Sequence, residues 1–135
     1  MSDTITLSAE QETAYAVVRR AMQAWADNDA DAFTDCYADD ASVVLPGGVL
    51  HRSRDEIRAY MAAGFAGPLK GTVGVDQPEV FSKVGNDAAI VVSLSGYRNP
   101  DEPDVAPERL RRATWVLAER DGAWQVKAYH NCSMV

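Results

Sequence analysis

The apolar positions in the first third of the chain recur every three or four residues, which is the period of an amphipathic helix. Ser8 and Gln11 have capping-box spacing, in which each side chain satisfies a free backbone amide at a helix start. The pattern predicts a first helix that begins at Ser8 and ends near Asn28, and a second, shorter helix that Asp29 caps. The predicted apolar positions of these helices are Ala14, Val17, Val18, Ala21, Met22, Trp25, Phe33, Cys36 and Tyr37.

A short β-branched segment follows the second helix. Ala41 to Leu45 is typical of a strand, and Asp39-Asp40 is interpreted as the turn that leads into it. Ser53 and Glu56 repeat the capping-box spacing, which predicts a third helix that ends at Gly67-Pro68. The apolar stripe of this helix is Ile57, Tyr60, Met61, Gly64 and Phe65.

From Lys70 onward the apolar positions change from a helical period to the two-residue alternation of strands. Proline cannot donate to a strand ladder, so the first of these strands should bend at Gln77-Pro78. Asp121-Gly122 is a strong hairpin signal between the last two strands. The four predicted strands are Lys70–Val84, Ala88–Arg98, Arg109–Arg120 and Ala123–Cys132.

The alternation groups the residues of each of the last two strands into faces, and the face of the last strand that carries Trp124 should look into the hollow. These faces carry Arg109, Arg111, Ala113, Trp115 and Leu117 on one strand and Trp124, Val126, Ala128 and His130 on the other. The order helix, helix, strand, helix and then an antiparallel meander predicts an α+β fold. We expect a single domain, residues 1–135, in which three N-terminal helices pack on a curved, largely antiparallel sheet and enclose a pocket.

Composition narrows the choice of partners. The 135 residues carry a net charge of −7, which disfavours nucleic acid and anionic membrane surfaces because both attract basic proteins. No apolar run approaches the roughly 20 residues that span a bilayer, and the start Met-Ser-Asp-Thr lacks the features of a signal peptide. We therefore expect a cytoplasmic protein with no nucleic-acid or membrane partner. Cys36 and Cys132 have no metal-ligand spacing, so we expect reduced thiols, no metal and no cofactor.

His130 is the first candidate for chemistry because it continues the predicted inward face of the last strand. An imidazole titrates near neutrality and can move a proton, although a histidine hydrogen-bonded in the pocket wall would give the same sequence pattern. Tyr37 can offer a hydroxyl and is the second candidate catalytic residue. His51, just before the third helix, is interpreted as a surface or capping residue.

Aromatic side chains at helix and strand spacing indicate either ordinary core or the wall of a pocket for a ring- or polyene-shaped guest. Arg109 and Arg111 share a face with Trp115. An inward guanidinium can grip a carboxylate or enolate, whereas an outward one would lie at a solvated sheet edge. The candidate ligand-binding residues are Trp25, Phe33, Tyr37, Met61, Phe65, Tyr97, Arg111, Trp115, Trp124 and Asn131.

The segment from Asn99 to Glu108 is acidic and holds three prolines. It joins two strands that otherwise need only a tight turn. Either it is a solvated loop, or it serves as a lid or docking loop beside the pocket mouth, since unusually long loops on rigid scaffolds often carry function.

Four segments resemble the nuclear transport factor 2-like superfamily in residues and spacing: Ala24–Phe33, Tyr37–Ala41, His51–Ile57 and Asp121–Val126. This superfamily includes SnoaL-type cyclases and ketosteroid isomerases, and the resemblance implies its cone-shaped α+β fold. The ending Val126–Asn131 is similar to that of the SgcJ/EcaC-type proteins, some of which are encoded with enediyne polyketide pathways.

The chain departs from the superfamily at its catalytic positions. Aligned on Tyr37–Ala41, the carboxylate that abstracts the proton in ketosteroid isomerases falls at Leu45, the oxyanion-hole tyrosine falls near Ala21, and its acidic partner falls near Arg112. None of these side chains can replace those groups, so the steroid-isomerase mechanism is not expected. SnoaL-type cyclases use a pocket histidine and aspartate, and this chain offers a candidate histidine but no evident inward acid on the meander strands.

These observations favour a small-molecule-binding accessory protein of natural-product biosynthesis, which holds an apolar, polyketide- or enediyne-like intermediate in the pocket. Two alternatives stay open: a cofactor-independent isomerase, cyclase or hydratase that uses His130 as its acid-base group, and a protein-interaction module with a filled pocket. The resemblance also implies a homodimer through the outer face of the sheet, where we place Val91, Ser93 and Ser95.

Overall fold

The computed structural model describes residues 4–135, so the Met-Ser-Asp start of the chain lies outside the described residues. Its helices are α1 (Ala9–Ala26), α2 (Ala30–Asp35) and α3 (Arg54–Ala66). Its strands are β1 (Tyr37–Leu45), β2 (Val49–His51), β3 (Val73–Val84), β4 (Ala88–Arg98), β5 (Arg111–Arg120) and β6 (Ala123–Ser133). A short 3₁₀ turn, Pro107–Arg109, precedes β5.

Each α-helix begins beside the side chain that caps it. Ser8 Oγ accepts a hydrogen bond from the Gln11 amide at 3.2 Å, and Gln11 Oε1 accepts one from the Ser8 amide at 2.9 Å, which confirms the predicted capping box. Asp29 caps α2 by accepting from a first-turn amide at 3.0 Å. Ser53 caps α3 by accepting from the Glu56 amide at 3.3 Å. Because these caps are local in sequence, they fix where the helices begin.

The strands of residues 4–135 form one sheet in the order β2-β1-β6-β5-β4-β3. In this part of the chain β1 and β6 are the one parallel pair, and all other neighbours are antiparallel. Helix α1 packs against β3, β5 and β6, and α3 packs against β1 and β2. The side chains buried most completely between helices and sheet include Val17, Val18, Ala21, Val91, Trp115, Leu117 and Val126.

Strand β1 begins earlier than the sequence pattern predicts. It starts at Tyr37, so Asp39 and Asp40 lie within the strand instead of in a turn. Their exposed carboxylates pair with Arg54 at 2.9 Å and with Lys127 at 2.5 Å. These partners are distant in sequence, and a local pattern of two consecutive aspartates cannot reveal them.

The structure contains a short strand, β2, that the sequence pattern does not predict. It follows a Gly47-Gly48 turn and pairs antiparallel with β1, with Val43 opposite His51. Three residues are too few to show an alternation. The placement of His51 in a strand, and not in a helix cap, changes the direction of its side chain.

Strand β6 contains a β-bulge. Val126 pairs with Leu117, but the next pair joins Ala128 to Val116, which leaves Lys127 as an extra residue. Side chains alternate along a strand, so one extra residue exchanges the two faces beyond it.

The bulge corrects the prediction for His130. Its side chain is exposed and lies outside the cavity lining, so the prediction that it continues the inward face is wrong. Tyr129 and Asn131, which the uninterrupted alternation would point outward, face inward instead.

The two faces of β4 are reversed relative to the prediction that Val91, Ser93 and Ser95 lie on the outer face of the sheet. Val91, Ser93 and Ser95 are buried on the concave face, which is the side of the sheet that the helices cover. The outer face, on the opposite side, carries Ile90, Val92, Leu94, Thr114, Val116 and His130.

Among residues 4–135 no helix has the length and apolar character needed to span a bilayer.

Candidate functional site

A cavity of about 570 Å³ lies between the concave face of the sheet and the helices. Apolar and aromatic side chains make up most of its wall. The predicted ligand-binding residues that line it are Trp25, Phe33, Tyr37, Met61, Tyr97, Arg111, Trp115 and Asn131.

Trp25 is held from several sides. Its Nε1 donates to Thr72 Oγ1 at 2.9 Å, and its ring stacks on Tyr97 with centroids 5.9 Å apart. The rings of Phe33 and Phe65 meet it edge-on at 5.8 and 5.6 Å. Phe65 is buried outside the cavity lining, so it supports the wall instead of forming it. A wall held in this way is preorganised, because little side-chain freedom remains to be lost when a guest binds.

Trp124 lies away from the cavity, and its predicted ligand contact is wrong. It pairs with Glu119 next to the β5–β6 turn. There it lines a separate crevice of about 220 Å³ together with Glu10, Phe81 and Lys83. The reason is position along the strand: Trp124 comes before the bulge, at the end of the sheet that the first turns of α1 cover.

Tyr129 and Asn131 bring a polar pair into the apolar wall. Asn131 Nδ2 donates to the Tyr129 hydroxyl at 2.9 Å, and the Tyr129 ring lies against Trp115 with centroids 4.3 Å apart. Asn131 Oδ1 is buried and has no hydrogen-bond partner within residues 4–135. Burial raises the pKa of Tyr129, so its hydroxyl stays protonated at neutral pH. Sequence reasoning missed Tyr129 because no local signal marks the bulge.

His51 lies in the cavity wall, which corrects its interpretation as a surface or capping residue. Its ring packs against Tyr60 with centroids 4.7 Å apart. Nε2 is buried and meets no hydrogen-bond partner in the described part of the chain. An imidazole can donate or accept at this nitrogen, so His51 is a candidate acid-base residue in the cavity wall.

Two neighbouring arginines line the cavity with different surroundings. Arg109 forms an ion pair with Glu102, and its Nε donates to the Tyr97 carbonyl at 3.1 Å. Arg111 Nη1 donates to the backbone carbonyls of Glu108 and Leu110 at 3.1 and 2.9 Å. No carboxylate of residues 4–135 lies within 4.0 Å of the Arg111 guanidinium. Both arginines therefore lie at the cavity, which is the inward alternative, and Arg111 has no carboxylate of residues 4–135 at ion-pair distance.

Tyr37 contributes a fully buried aromatic ring to the cavity wall, packed against Phe33 with centroids 5.5 Å apart. Burial raises the pKa of Tyr37 well above its usual range. Its hydroxyl makes no hydrogen bond to any described residue. Its hydroxyl therefore stays protonated near neutral pH and can donate a hydrogen bond in an apolar setting.

Asp76 is an inward acid on β3 that the sequence analysis does not identify. Its carboxylate accepts hydrogen bonds from the Tyr15 hydroxyl at 2.5 Å, Trp115 Nε1 at 2.9 Å and Ser93 Oγ at 2.9 Å. Burial raises its pKa, and these hydrogen bonds oppose the shift. Asp76 does not line the cavity, so it holds Trp115 from behind.

The segment after β4 is fixed by hydrogen bonds close to the cavity. Glu102 Oε1 accepts from the Asn99 amide at 2.8 Å, and Arg98 Nη1 donates to the Glu102 carbonyl at 3.2 Å. With the Glu102–Arg109 ion pair, these bonds tie the segment to a residue of the cavity wall. The role of the segment from Asn99 to Glu108 as a lid or docking loop stays a prediction.

The cysteines and the candidate metal ligands lie apart. Cys36 is buried, Cys132 is exposed, and both are free thiols. Within residues 4–135, no three His, Cys, Asp or Glu side chains gather into a metal-binding group.

The model of the SnoaL-like domain matches residues 15–135. The chain belongs to the SnoaL-like domain family. This family includes polyketide cyclases and isomerases. Among curated proteins, none matches the chain.

Solved structures show the fold of this SnoaL-like domain. A domain of unknown function with a cystatin-like fold from Nostoc punctiforme has a TM-score of 0.83 at 20% identity, with 96% of this chain and 80% of that one covered. An NTF2-like protein with a cystatin-like fold from Novosphingobium aromaticivorans has a TM-score of 0.78 at 16% identity, with 93% and 82% covered. A ketosteroid isomerase-like protein from Erwinia carotovora has a TM-score of 0.73 at 19% identity, with 96% and 99% covered.

These likenesses confirm an α+β fold with helices on a curled, half-barrel sheet. They show the fold alone. The SnoaL-like domain itself shows Leu45 in the cavity wall, Ala21 buried in α1, and Arg112 paired with Glu79 on the outer face. None of these positions supplies the acid or the tyrosine that a ketosteroid isomerase uses. Closeness to the SgcJ/EcaC-type proteins stays a prediction.

Proposed function

We propose that this domain is a small-molecule-binding accessory protein of natural-product biosynthesis and holds an apolar intermediate in its cavity. The observation that carries the proposal is the cavity of about 570 Å³, which lies within the usual size range of ligand sites. Its aromatic wall is fixed by hydrogen bonds and ring contacts, so binding costs little side-chain entropy. An apolar guest that fills the cavity gains free energy from the surface it removes from water.

The chemical class of the intermediate rests on the sequence resemblance. A polyketide- or enediyne-like molecule would present rings or conjugated chains to Trp25, Tyr97 and Trp115, whose faces suit such guests. The family's polyketide cyclases and the similarity of Val126–Asn131 to the SgcJ/EcaC-type proteins support the same class. In this proposal the domain acts in the cytoplasm as a homodimer.

Filling part of the cavity should weaken binding. Val43 lines the cavity, and Val44, the next residue of β1, does not. We expect Val43→Phe to weaken binding of diphenylhexatriene, a neutral polyene whose fluorescence rises in apolar sites, by about tenfold or more. Val44→Phe adds the same phenyl ring elsewhere and should bind as the wild type does.

Equal binding by both variants would contradict the proposal, because the probe would then lie outside the cavity. Native mass spectrometry of freshly purified protein, incubated with extracts of a polyketide-producing culture, identifies the natural guest by its mass. The loss of that adduct in Val43→Phe and its retention in Val44→Phe are the expected results.

Catalysis by a cofactor-independent isomerase, cyclase or hydratase is the second candidate function. The unpartnered Nε2 of His51 in the cavity wall favours it. His51 replaces His130 as the acid-base group in this alternative, because His130 is exposed outside the cavity. The hydroxyls of Tyr37 and Tyr129 would serve as hydrogen-bond donors to the guest.

The two histidines distinguish binding from catalysis. If the cavity is an active site, His51→Gln should lower the rate of conversion of the bound guest by about 10²-fold or more, whereas His130→Gln should leave it unchanged. The rate is measured by mass spectrometry and chromatography of the guest after incubation. A guest recovered chemically unchanged from the wild type would contradict catalysis and support simple binding.

A protein-interaction module with a filled pocket is the third possibility that the sequence leaves open. A cavity of about 570 Å³ argues against it, since well-packed cores contain few voids larger than a water molecule. The ligand-binding proposal is therefore preferred.

A further inference from the structure

We infer that the guest carries a carboxylate, or an equivalent anionic oxygen group, and that Arg111 and Asn131 bind it at one end of the cavity. This inference rests on the proposed function, since it names the chemical class of the molecule that the cavity takes. It extends that function by assigning an orientation: the anionic group lies at Arg111, and the apolar body lies against Trp115.

The first support is the charge of Arg111. A half-buried guanidinium without an anionic partner is costly, because protein atoms replace part of its water. Arg109, its neighbour in the cavity wall, has Glu102 as a partner. Arg111 has backbone carbonyls but no carboxylate of residues 4–135 within 4.0 Å. An anion from outside the chain would complete its surroundings with charge-assisted hydrogen bonds.

The second support is the position of the polar residues on the sheet. Arg111 lies opposite Ser95 on β4, and Asn131 lies opposite Ala113, two residues from Arg111 on the same face. Diagonal neighbours of this kind are about 7–8 Å apart, within reach of a long side chain. The next inward pair is Trp115 opposite Tyr129. The concave face thus has a polar end that continues into an aromatic region. This arrangement is complementary to an acid with one charged end and one apolar end.

The third support is the unsatisfied end of the Asn131 amide. The Tyr129 hydroxyl can both donate and accept, so it can pair with either end of the amide. If the side chain also rotates so that its NH₂ group reaches the cavity, Asn131 and Arg111 would both donate to one carboxylate. The alternative, a buried amide end with no partner, costs free energy.

Two other acids near this end, Asp76 and Glu102, are already engaged. Asp76 lies on β3, opposite Ser95 of β4. Its carboxylate accepts hydrogen bonds from Tyr15, Trp115 and Ser93. Glu102 is bound to Arg109. Neither neutralises Arg111 at short range, so the positive charge remains for a guest.

The test compares two probes that differ in charge and little in shape, anthracene-2-carboxylate and anthracene-2-carboxamide. Isothermal titration calorimetry at low and moderate salt should show the carboxylate binding about tenfold or more tightly, with a preference that falls as salt rises. In Arg111→Met the preference should disappear while the affinity for the carboxamide stays within about twofold. Thermal unfolding of each variant shows whether it is folded.

Arg112→Met is the matched control. Arg112 is the next residue of β5, and its side chain pairs with Glu79 on the outer face, so the substitution removes the same charge from the opposite side of the sheet. Arg112→Met should keep the preference for the carboxylate. Loss of the preference in this variant would overturn the inference, because net charge and not a site would then explain it.

The remaining outcomes separate this inference from the proposed function. If the wild type binds both probes equally, the apolar cavity stands and the anionic subsite is wrong. If the preference survives in Arg111→Met, the subsite is wrongly assigned. If neither probe binds, the proposed function fails and the anionic subsite fails with it.

Discussion

Three polar side chains near the cavity differ in whether their buried atoms have hydrogen-bond partners. The carboxylate of Asp76 accepts from three donors of the core, so it has an internal structural role. Asn131 Oδ1 and His51 Nε2 are buried and lack a partner within residues 4–135. Most buried polar groups in proteins are paired, so these two atoms are exceptions within the described part of the chain.

Asp76 should give stability a specific pH dependence. Burial raises its pKa above the ordinary value of 3.8, so the folded protein holds a proton that the unfolded chain releases. Folding is then favoured at acidic pH through this group, and its contribution is lost as the pH rises through the folded pKa. The free energy of unfolding of Asp76→Asn, relative to wild type, should therefore increase as the pH rises from about 4 to about 7.

Urea denaturation at a series of pH values measures this difference. Asp104→Asn is the control, because Asp104 is exposed and the substitution removes the same kind of carboxyl group from the surface. A relative stability of Asp76→Asn that falls as the pH rises would contradict the prediction. That result would mean that the hydrogen bonds from Tyr15, Trp115 and Ser93 outweigh burial.

Where the alternation of faces along a strand is regular, it places candidate residues at the cavity. Trp115 and Arg111 lie on β5, where the alternation of faces is unbroken, and both line the cavity as expected. His51, Tyr129 and Asp76 were missed as site or inward residues. A single polar residue in a short or irregular strand has no neighbours whose alternation reveals its direction.

At the scale of elements, helix starts were predictable because their causes are local. The Ser8, Asp29 and Ser53 caps each act within one turn of the chain. The start of β1 was not predictable in this way. Asp39 and Asp40 favour a turn by themselves, whereas in the structure β1 pairs with β6 and the two carboxylates meet distant partners in α3 and β6.

The bulge in β6 shows why one strand can be read correctly in its first half and wrongly in its second. Val126 faces the core as predicted, whereas His130 does not. Strand β6 pairs with β5 on one side and with β1 on the other, and both registers shift near Lys127. The bulge is therefore set by two neighbours that are remote in sequence, and the sequence of β6 alone carries no sign of it.

At the scale of the whole molecule, the cavity follows from the way two layers meet. The helices cover a curled sheet, and their apolar faces do not fill the space near Trp25, Met61 and Trp115. Hydrophobic periodicity predicts which residues face inward but not the volume left between them. The family resemblance predicts a pocket, and its size and polar end come only from the structure.

The outer face of the sheet tests the proposed homodimer. It presents apolar residues to solvent, with Ile90 at 36% and Val80 at 49% relative exposure, and Val92 lies between Val80 and Thr114 in the sheet. Such a patch is stabilised when a second copy covers it. We expect Val92→Glu to convert a dimer into a monomer of 14.7 kDa, because association would bury an unpaired charge.

Size-exclusion chromatography with light scattering measures the mass. The matched control is Ala62→Glu, which adds the same charge to an exposed position of α3 on the helical side of the molecule. It should leave the dimer intact, and circular dichroism should show both variants folded, since neither position is in the core.

A wild type that is monomeric, or a Val92→Glu variant that remains dimeric, would show that copies of this chain do not associate through this face. A dimer lost in Val92→Glu with diphenylhexatriene binding retained would place association and ligand binding on opposite sides of one sheet.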